Sequence, residues 1–276
     1  MTNYQEVNFK KIPTAPDPEE REWKVEFLEE ALVDPCWGSG GAPGNGNGSA
    51  GSVGAPEGGS GHETAAGNHM IICESAYYAQ GIKGAVDRCL VRESVAKKLS
   101  EAVKLLPDGY GFKLYDTWRP YEVQYSLYYN YFGELADTGK YEDYTVRQLR
   151  ELTKTFVSLP KKGGEISFVH STGGAVDLTI VDEKGRELDM GSGFDEFSEK
   201  SNTDYYEVHD GNETVRANRR LLYHVMTECG FTSLPSEWWH FDYGDKFWAF
   251  YTGEAVLYRS LYEIPEEFRG KLKIHS

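Results

Sequence analysis

The chain has 276 residues, with 44 acidic against 29 basic side chains and a formal net charge of −15. That balance, without any Lys/Arg cluster, argues against nucleic acid or an anionic membrane face as a partner. No apolar run approaches membrane-spanning length, and residues 1–9 show no basic region followed by an apolar core, so a cytoplasmic location is expected.

In order, residues 1–22 are polar, carry Pro13, Pro16 and Pro18, and read as an extended arm. Val25, Phe27, Leu28, Ala31 and Leu32 fit either a strand or a short helix over 23–33. Residues 38–61 are almost wholly Gly, Ser, Ala, Asn and Pro. Such a tract cannot bury enough apolar surface to offset its ordering entropy, so a flexible loop insertion is expected. Structure resumes at 70–73, turns at 81–84, and allows a short strand at 87–91. Val95, Ala96, Leu99, Ala102, Val103 and Leu106 recur at three and four, predicting a helix over 93–106 stopped by Pro107-Asp108-Gly109.

A strand over 112–118 follows, then a helix over 121–135, aromatic on several faces and expected to be largely buried. A third helix over 145–157 places Val146, Leu149, Leu152 and Phe156 on one side. Residues 175–180 alternate as a strand, with Val176, Leu178 and Ile180 opposite Asp177 and Thr179. A hairpin turn at 182–186 leads into 187–190, and a polar loop spans 191–210. A long helix over 213–229 ends at Gly230. Strands at 238–243 and 247–251 read as an antiparallel pair about Gly244-Asp245, and the aromatic tail is expected to pack back on the domain. About 240 residues outside the glycine tract suit one α+β domain spanning 1–276. Cys36, Cys73, Cys89 and Cys229 show neither disulfide-framework nor metal spacing and read as small buried hydrophobes.

Two stretches carry chemistry: Ser167-Phe168-Val169-His170-Ser171-Thr172-Gly173-Gly174-Ala175-Val176-Asp177 and Glu237-Trp238-Trp239-His240. Together they offer two imidazoles and one carboxylate as metal ligands, and a second carboxylate free to act on water. Such a set, with an open fourth position, suits a catalytic rather than a structural zinc site. Gly173 and Gly174 let the backbone turn so that a loop imidazole and a strand carboxylate converge. Fully extended, Glu237 and His240 would start about ten ångströms apart, so a bend is required for Glu237 to serve as general base and acid.

His170-x-x-Gly173-x-Ala175-x-Asp177 followed by Glu237-Trp238-Trp239-His240 resembles the zinc D-alanyl-D-alanine dipeptidases of the vancomycin-resistance type. Their superfamily includes D,D-carboxypeptidases and the hedgehog domain. Asp116-Thr117-Trp118-Arg119-Pro120 and Met190-Gly191-Ser192-Gly193-Phe194-Asp195 extend the resemblance across about 85–250. It implies a central, mostly antiparallel sheet flanked by helices, and one zinc ion per chain held by His170, Asp177 and His240. It also implies Glu237 as general base and acid, Arg119 stabilising the anionic intermediate, and Asp195 pairing with the substrate ammonium. The family places serine two residues before the first metal histidine; here that position is Phe168, leaving Ser167 and Ser171 as substrate-binding candidates. The implied activity is hydrolysis of D-Ala-D-Ala or a similar small dipeptide. The alternatives are a D,D-carboxypeptidase or endopeptidase acting on peptidoglycan stems, and a non-catalytic zinc-containing binding protein.

Overall fold

The computed structural model describes residues 22–36, 62–66, 69–209 and 211–276. Residues 1–21 of the proline-bearing arm (1–22) and all of the glycine-rich tract (38–61) lie outside the described residues, as does the expectation that the tract is a flexible insertion.

The strands are β1 (Leu32–Val33), β2 (His62–Ala66), β3 (His69–Cys73), β4 (Val91–Arg92), β5 (Gly111–Asp116), β6 (Ala175–Val181), β7 (Thr232–Ser233) and β8 (His240–Asp242). The helices are α1 (Ala76–Ala79), α2 (Glu93–Ala102), α3 (Tyr121–Asp137), α4 (Val146–Lys154), α5 (Tyr205–Val208), α6 (Glu213–Glu228) and α7 (Lys246–Thr252). Six strands form one sheet in the order β2-β3-β5-β6-β8-β7, with β1 and β4 paired separately. Only the β3–β5 pairing in the large sheet is parallel, so the expected mostly antiparallel α+β architecture is the one observed.

β6 is the axis of the core. All seven of its residues are buried, with Val176, Leu178 and Ile180 packing among Phe112, Leu114, Leu222 and Phe241. From α2, Val95 and Leu99 join the same core, and from α6 Leu221, Leu222, Val225 and Met226, as the helical spacing requires. Asn212 caps the start of α6 through the amides of Thr214 and Val215. The tail returns as expected, placing Leu261, Ile264, Phe268 and Leu272 against Leu32, Val86, Leu90 and Trp118.

Four sequence expectations are corrected. Residues 246–252 are helical rather than a strand, because Asp245 caps the amides of Phe247 and Trp248 and Gly253 closes the helix in a left-handed conformation. β8 pairs instead with β6 and β7. α3 is less buried than its aromatic content suggests: Val123, Gln124, Tyr128 and Leu135 face inward while Tyr125 and Tyr129 are exposed. α4 ends at Lys154, so Phe156 lies beyond it and, like Val146, is exposed.

The fourth concerns the cysteines. Cys36 and Cys73 form a disulfide with a Cα separation of 6.3 Å, inside the range such a bridge spans. Fold topology, not spacing, brings them together. Cys89 and Cys229 are free, and only Cys89 is fully buried.

Candidate active site

Sheet register assembles the site. Asp116 at the end of β5, Asp177 in β6 and His240 at the start of β8 are cross-strand partners, Asp116 with Asp177 and Asp177 with His240. Cross-strand partners share a face and lie within reach of one another's side chains. An irregularity in the β5–β6 pairing between Leu114 and Asp116 turns the strand end toward this row.

His170 arrives from the short 3₁₀ turn Val169–Thr172 immediately before β6, closed by Gly173 at φ +75°. Only glycine suits that conformation without strain. A Cβ on Gly174 would meet the Tyr243 carbonyl oxygen at 2.4 Å, so its lack of a side chain lets β6 approach the following loop. Glu237 lies in a turn rather than an extended strand, with the His240 amide donating to the Glu237 carbonyl at 3.3 Å. This supplies the required bend, and a Glu237 carboxylate oxygen lies 3.9 Å from His240 Nδ1.

His170 Nε2, His240 Nδ1 and the Asp177 carboxylate converge, their ligand atoms all within 4.8 Å of one another. Nε2 of His170 is 3.3 Å from His240 Nδ1, and Nδ1 of His240 is 2.9 Å from Asp177 Oδ1. The outward nitrogens are committed: His170 Nδ1 donates to the Thr117 carbonyl at 2.8 Å, and His240 Nε2 donates to Asp242 Oδ1 at 2.8 Å. Those bonds aim the remaining nitrogens at one point. Two ring nitrogens facing each other repel unless a proton or cation lies between them, and with a carboxylate as third donor the set fits a divalent zinc ion. Burial, helped by Arg119 and His240, holds the His170 imidazole well below its usual pKa and so neutral, as a ligand must be. Burial pulls His240 down as well, but Asp242 and Asp177 outweigh it and hold that ring well above the usual value. A cation held by these residues would take the place of that proton. The second cation-capable grouping among the described residues, Asp34 with Cys36 and Cys73, is already closed by the disulfide.

Around this triad lies a cavity of about 250 Å³ lined by Tyr77, Arg119, Asp195 and Glu237 among others. Arg119 is clamped: Nε donates to Asp116 Oδ2 at 2.8 Å and Nη1 to Gln124 Oε1 at 2.6 Å. Its Nη2 reaches the Tyr77 hydroxyl at 3.3 Å and lies 3.8 Å from Asp177 Oδ2. Asp195 has φ +57°, the one non-glycine with positive φ among the described residues, and its carboxylate accepts from the Tyr77 hydroxyl at 2.9 Å. Burial and the Asp177 charge raise Asp195 to about 6, with Arg119 and Tyr77 pulling the other way. Burial raises Glu237 to about 7, with His240 opposing and Asp177 adding to the rise. The site therefore sets carboxylates of perturbed basicity beside a cation-ready cluster, an arrangement suited to proton transfer during hydrolysis.

Ser167 and Ser171 are not brought into the cavity. The Ser167 hydroxyl donates to the Lys161 carbonyl and that of Ser171 to Phe168 and Ser260, so both stitch buried backbone together. The sequence reading gives no role to Tyr77, which comes from the four-residue α1, and its Ala76-Tyr77-Tyr78-Ala79 context carries no signal. Gln124 and Asp242 are also missed, although each lies within a few residues of a motif. So is Arg219, buried in α6, which donates to the carbonyls of Met190, Lys200 and Asn202 and fixes the loop that carries Asp195.

A family model described as D-ala-D-ala dipeptidase, the peptidase M15 family, matches residues 74–256. A D-alanyl-D-alanine dipeptidase of Synechocystis sp. is 31% identical over 176 residues, covering 58% of this chain and 71% of its own. One from Escherichia coli is 33% identical over 156 residues, covering 56% and 67%, and one from Enterococcus faecalis is 30% identical over 165 residues, covering 58% and 76%. Among solved structures, the vancomycin-resistance D,D-pentapeptidase VanY of a VanB-type cassette, in complex with Zn(II), aligns at 17% identity and a TM-score of 0.36 over 63% of this chain and 88% of its own. That likeness is too remote to bear on this chain's site.

Proposed function

The chain belongs to the peptidase M15 family, and on that premise we propose that it is a zinc-dependent dipeptidase hydrolysing D-Ala-D-Ala or a similar small dipeptide with a free amino terminus. The observation that carries this reading is the convergence of His170 Nε2, Asp177 and His240 Nδ1 beside Glu237 in one cavity. Zinc, when bound by those three residues, supplies Lewis acidity that lowers the pKa of water and polarises the scissile carbonyl. Glu237 takes a proton as its carboxylate and returns it to the leaving amine. Its elevated basicity in the buried site suits both halves of that task. The fixed guanidinium of Arg119, braced by Asp116, Gln124 and Tyr77 and lining the cavity, sets its positive charge beside negative charge developing on the carbonyl oxygen. Asp195, oriented by Tyr77, pairs with the substrate ammonium.

An ammonium clamp limits the enzyme to dipeptides with an unblocked amine, which separates this reading from a D,D-carboxypeptidase acting on peptidoglycan stems. Zinc-loaded protein is expected to cleave D-Ala-D-Ala and to spare the N-acetylated dipeptide, with chelator abolishing turnover. Equal cleavage of both would move the assignment to the carboxypeptidase. Stoichiometric zinc without hydrolysis of any dipeptide would move it to a binding protein.

No helix among the described residues is long and apolar enough to cross a membrane. A cytoplasmic site of action belongs to the same reading and carries a condition. In a reducing compartment Cys36 and Cys73 are held as thiols, so differential alkylation of protein taken directly from cells decides the compartment.

A further inference from the structure

Besides the metal-ready triad and the polar Gln80, Asn130, Glu134 and Ser158, the cavity is lined by an apolar set that includes Ile82, Leu127, Tyr131, Phe156, Val157 and Phe197. Three rings from separate segments meet there: Tyr131 of α3, Phe156 beyond α4, and Phe197 of the loop after β6. Their centroids lie 5.5 Å (Tyr131–Phe156), 4.9 Å (Tyr131–Phe197) and 5.5 Å (Phe156–Phe197) apart. Mutual packing leaves Phe156 38% and Phe197 39% exposed, which is apolar surface kept wet in the lining of the candidate site. The methyl groups of a dialanine cannot cover three rings.

The chain path says which end of the substrate this wall serves. Phe194 is anchored against Tyr115 and Trp239, at ring distances of 4.6 and 5.6 Å. Asp195 follows in its left-handed conformation and faces the cavity, and Phe197 stands two residues beyond. One loop thus carries both the ammonium-pairing carboxylate and a ring of the aromatic wall, which puts the wall beside the amino-terminal residue of a dipeptide.

We infer that this enzyme favours dipeptides whose amino-terminal residue bears a bulky apolar side chain, seated among Tyr131, Phe156 and Phe197, over dialanine. The inference rests on the dipeptidase reading and specifies its substrate class. Comparing kcat/KM of zinc-loaded enzyme for D-Ala-D-Ala, D-Leu-D-Ala, D-Phe-D-Ala, D-Ala-D-Phe and D-Lys-D-Ala tests it, with the L-series run in parallel. D-Leu-D-Ala or D-Phe-D-Ala, or their L-counterparts, are expected to exceed the corresponding dialanine by about tenfold or more. Phe156→Ala and Phe197→Ala should each shrink that ratio toward one. Dialanine as best substrate, a gain confined to D-Ala-D-Phe, a preference for the basic D-Lys-D-Ala, or ratios untouched in both variants would overturn it.

Fluorescence titration of zinc-loaded Glu237→Gln protein with the same dipeptides keeps the two readings apart. Absence of hydrolysis by wild-type protein counts against the dipeptidase alone. Tighter binding of the bulky dipeptide, lost on Phe156→Ala, would still uphold the subsite, whereas equal dissociation constants would remove it.

Discussion

Replacing Cys36 and Cys73 together by alanine removes the one covalent crosslink among the described residues. Alanine is chosen because both side chains are buried, 4% and 1% exposed, and a serine hydroxyl there would need a partner. The bridged residues are 37 apart in sequence. Loop-closure entropy for that length, released to the unfolded chain, amounts to about 4 kcal/mol at 25 °C. The closed loop contains the glycine-rich tract, the kind of chain to which an ideal-coil estimate applies. For a folded unit of roughly 150–250 residues, each kcal/mol moves Tm by about 2–4 °C, so a fall of about 8–16 °C is expected. Denaturant titration of the double variant and the oxidised wild type measures the difference directly, and wild type in reductant should fall with the variant. Stabilities within about 1 kcal/mol of each other would refute the tether as a feature of the native protein.

Replacing Glu237 by Gln should lower kcat by about 10²–10⁴-fold while zinc stays bound, read from single-substrate kinetics with metal analysis; undiminished turnover would remove Glu237 from the mechanism. Asp195, raised to about 6 by burial and by Asp177, holds an ammonium only when ionised, so kcat/KM should fall as pH drops through that value. A cation at Asp177 weakens the upward push, placing this limb at or below about pH 6; Glu237, raised to about 7 and needed as its carboxylate, adds an acid limb of its own, so Asp195→Asn should remove the lower limb and leave the Glu237 one. A lower limb unchanged in that variant would show that another group titrates there. Gly174→Ala drives a Cβ to 2.4 Å from the Tyr243 carbonyl oxygen, an overpacking against backbone expected to cost about 1–3 kcal/mol in a melting experiment. An unchanged Tm would mean that the Gly174 segment yields freely.

The site was more legible in the sequence than the fold around it, for a physical reason. Strand alternation gives Asp177 a direction, Gly173 and Gly174 let His170 turn toward it, and register brings Asp177 and His240 level, whereas Glu237 comes near only through a turn that no periodicity announces. Tyr77 has no such marker, because its role depends on α1 docking above the Arg119 end of the sheet rather than on its neighbours in sequence. A Lys-Phe-Trp-Ala-Phe-Tyr run has strand-like composition, and only the Asp245 cap and the closing Gly253 reveal a helix. Tyrosines on α3 exceed what one buried stripe accommodates, so several face outward. Nor does any local pattern tie Cys36 to Cys73, since β3 brings Cys73 to a segment that reaches it from the other side of the glycine tract.

Zinc titration into chelator-stripped protein, followed together with D-alanine release from D-Ala-D-Ala and the bulkier dipeptides, addresses the central claim most directly. The account predicts one zinc per chain, turnover that rises in proportion to occupancy, and neither binding nor turnover once His170 and His240 are both replaced by alanine. Hydrolysis that persists without metal, or tight stoichiometric zinc retained by that double variant, would contradict it.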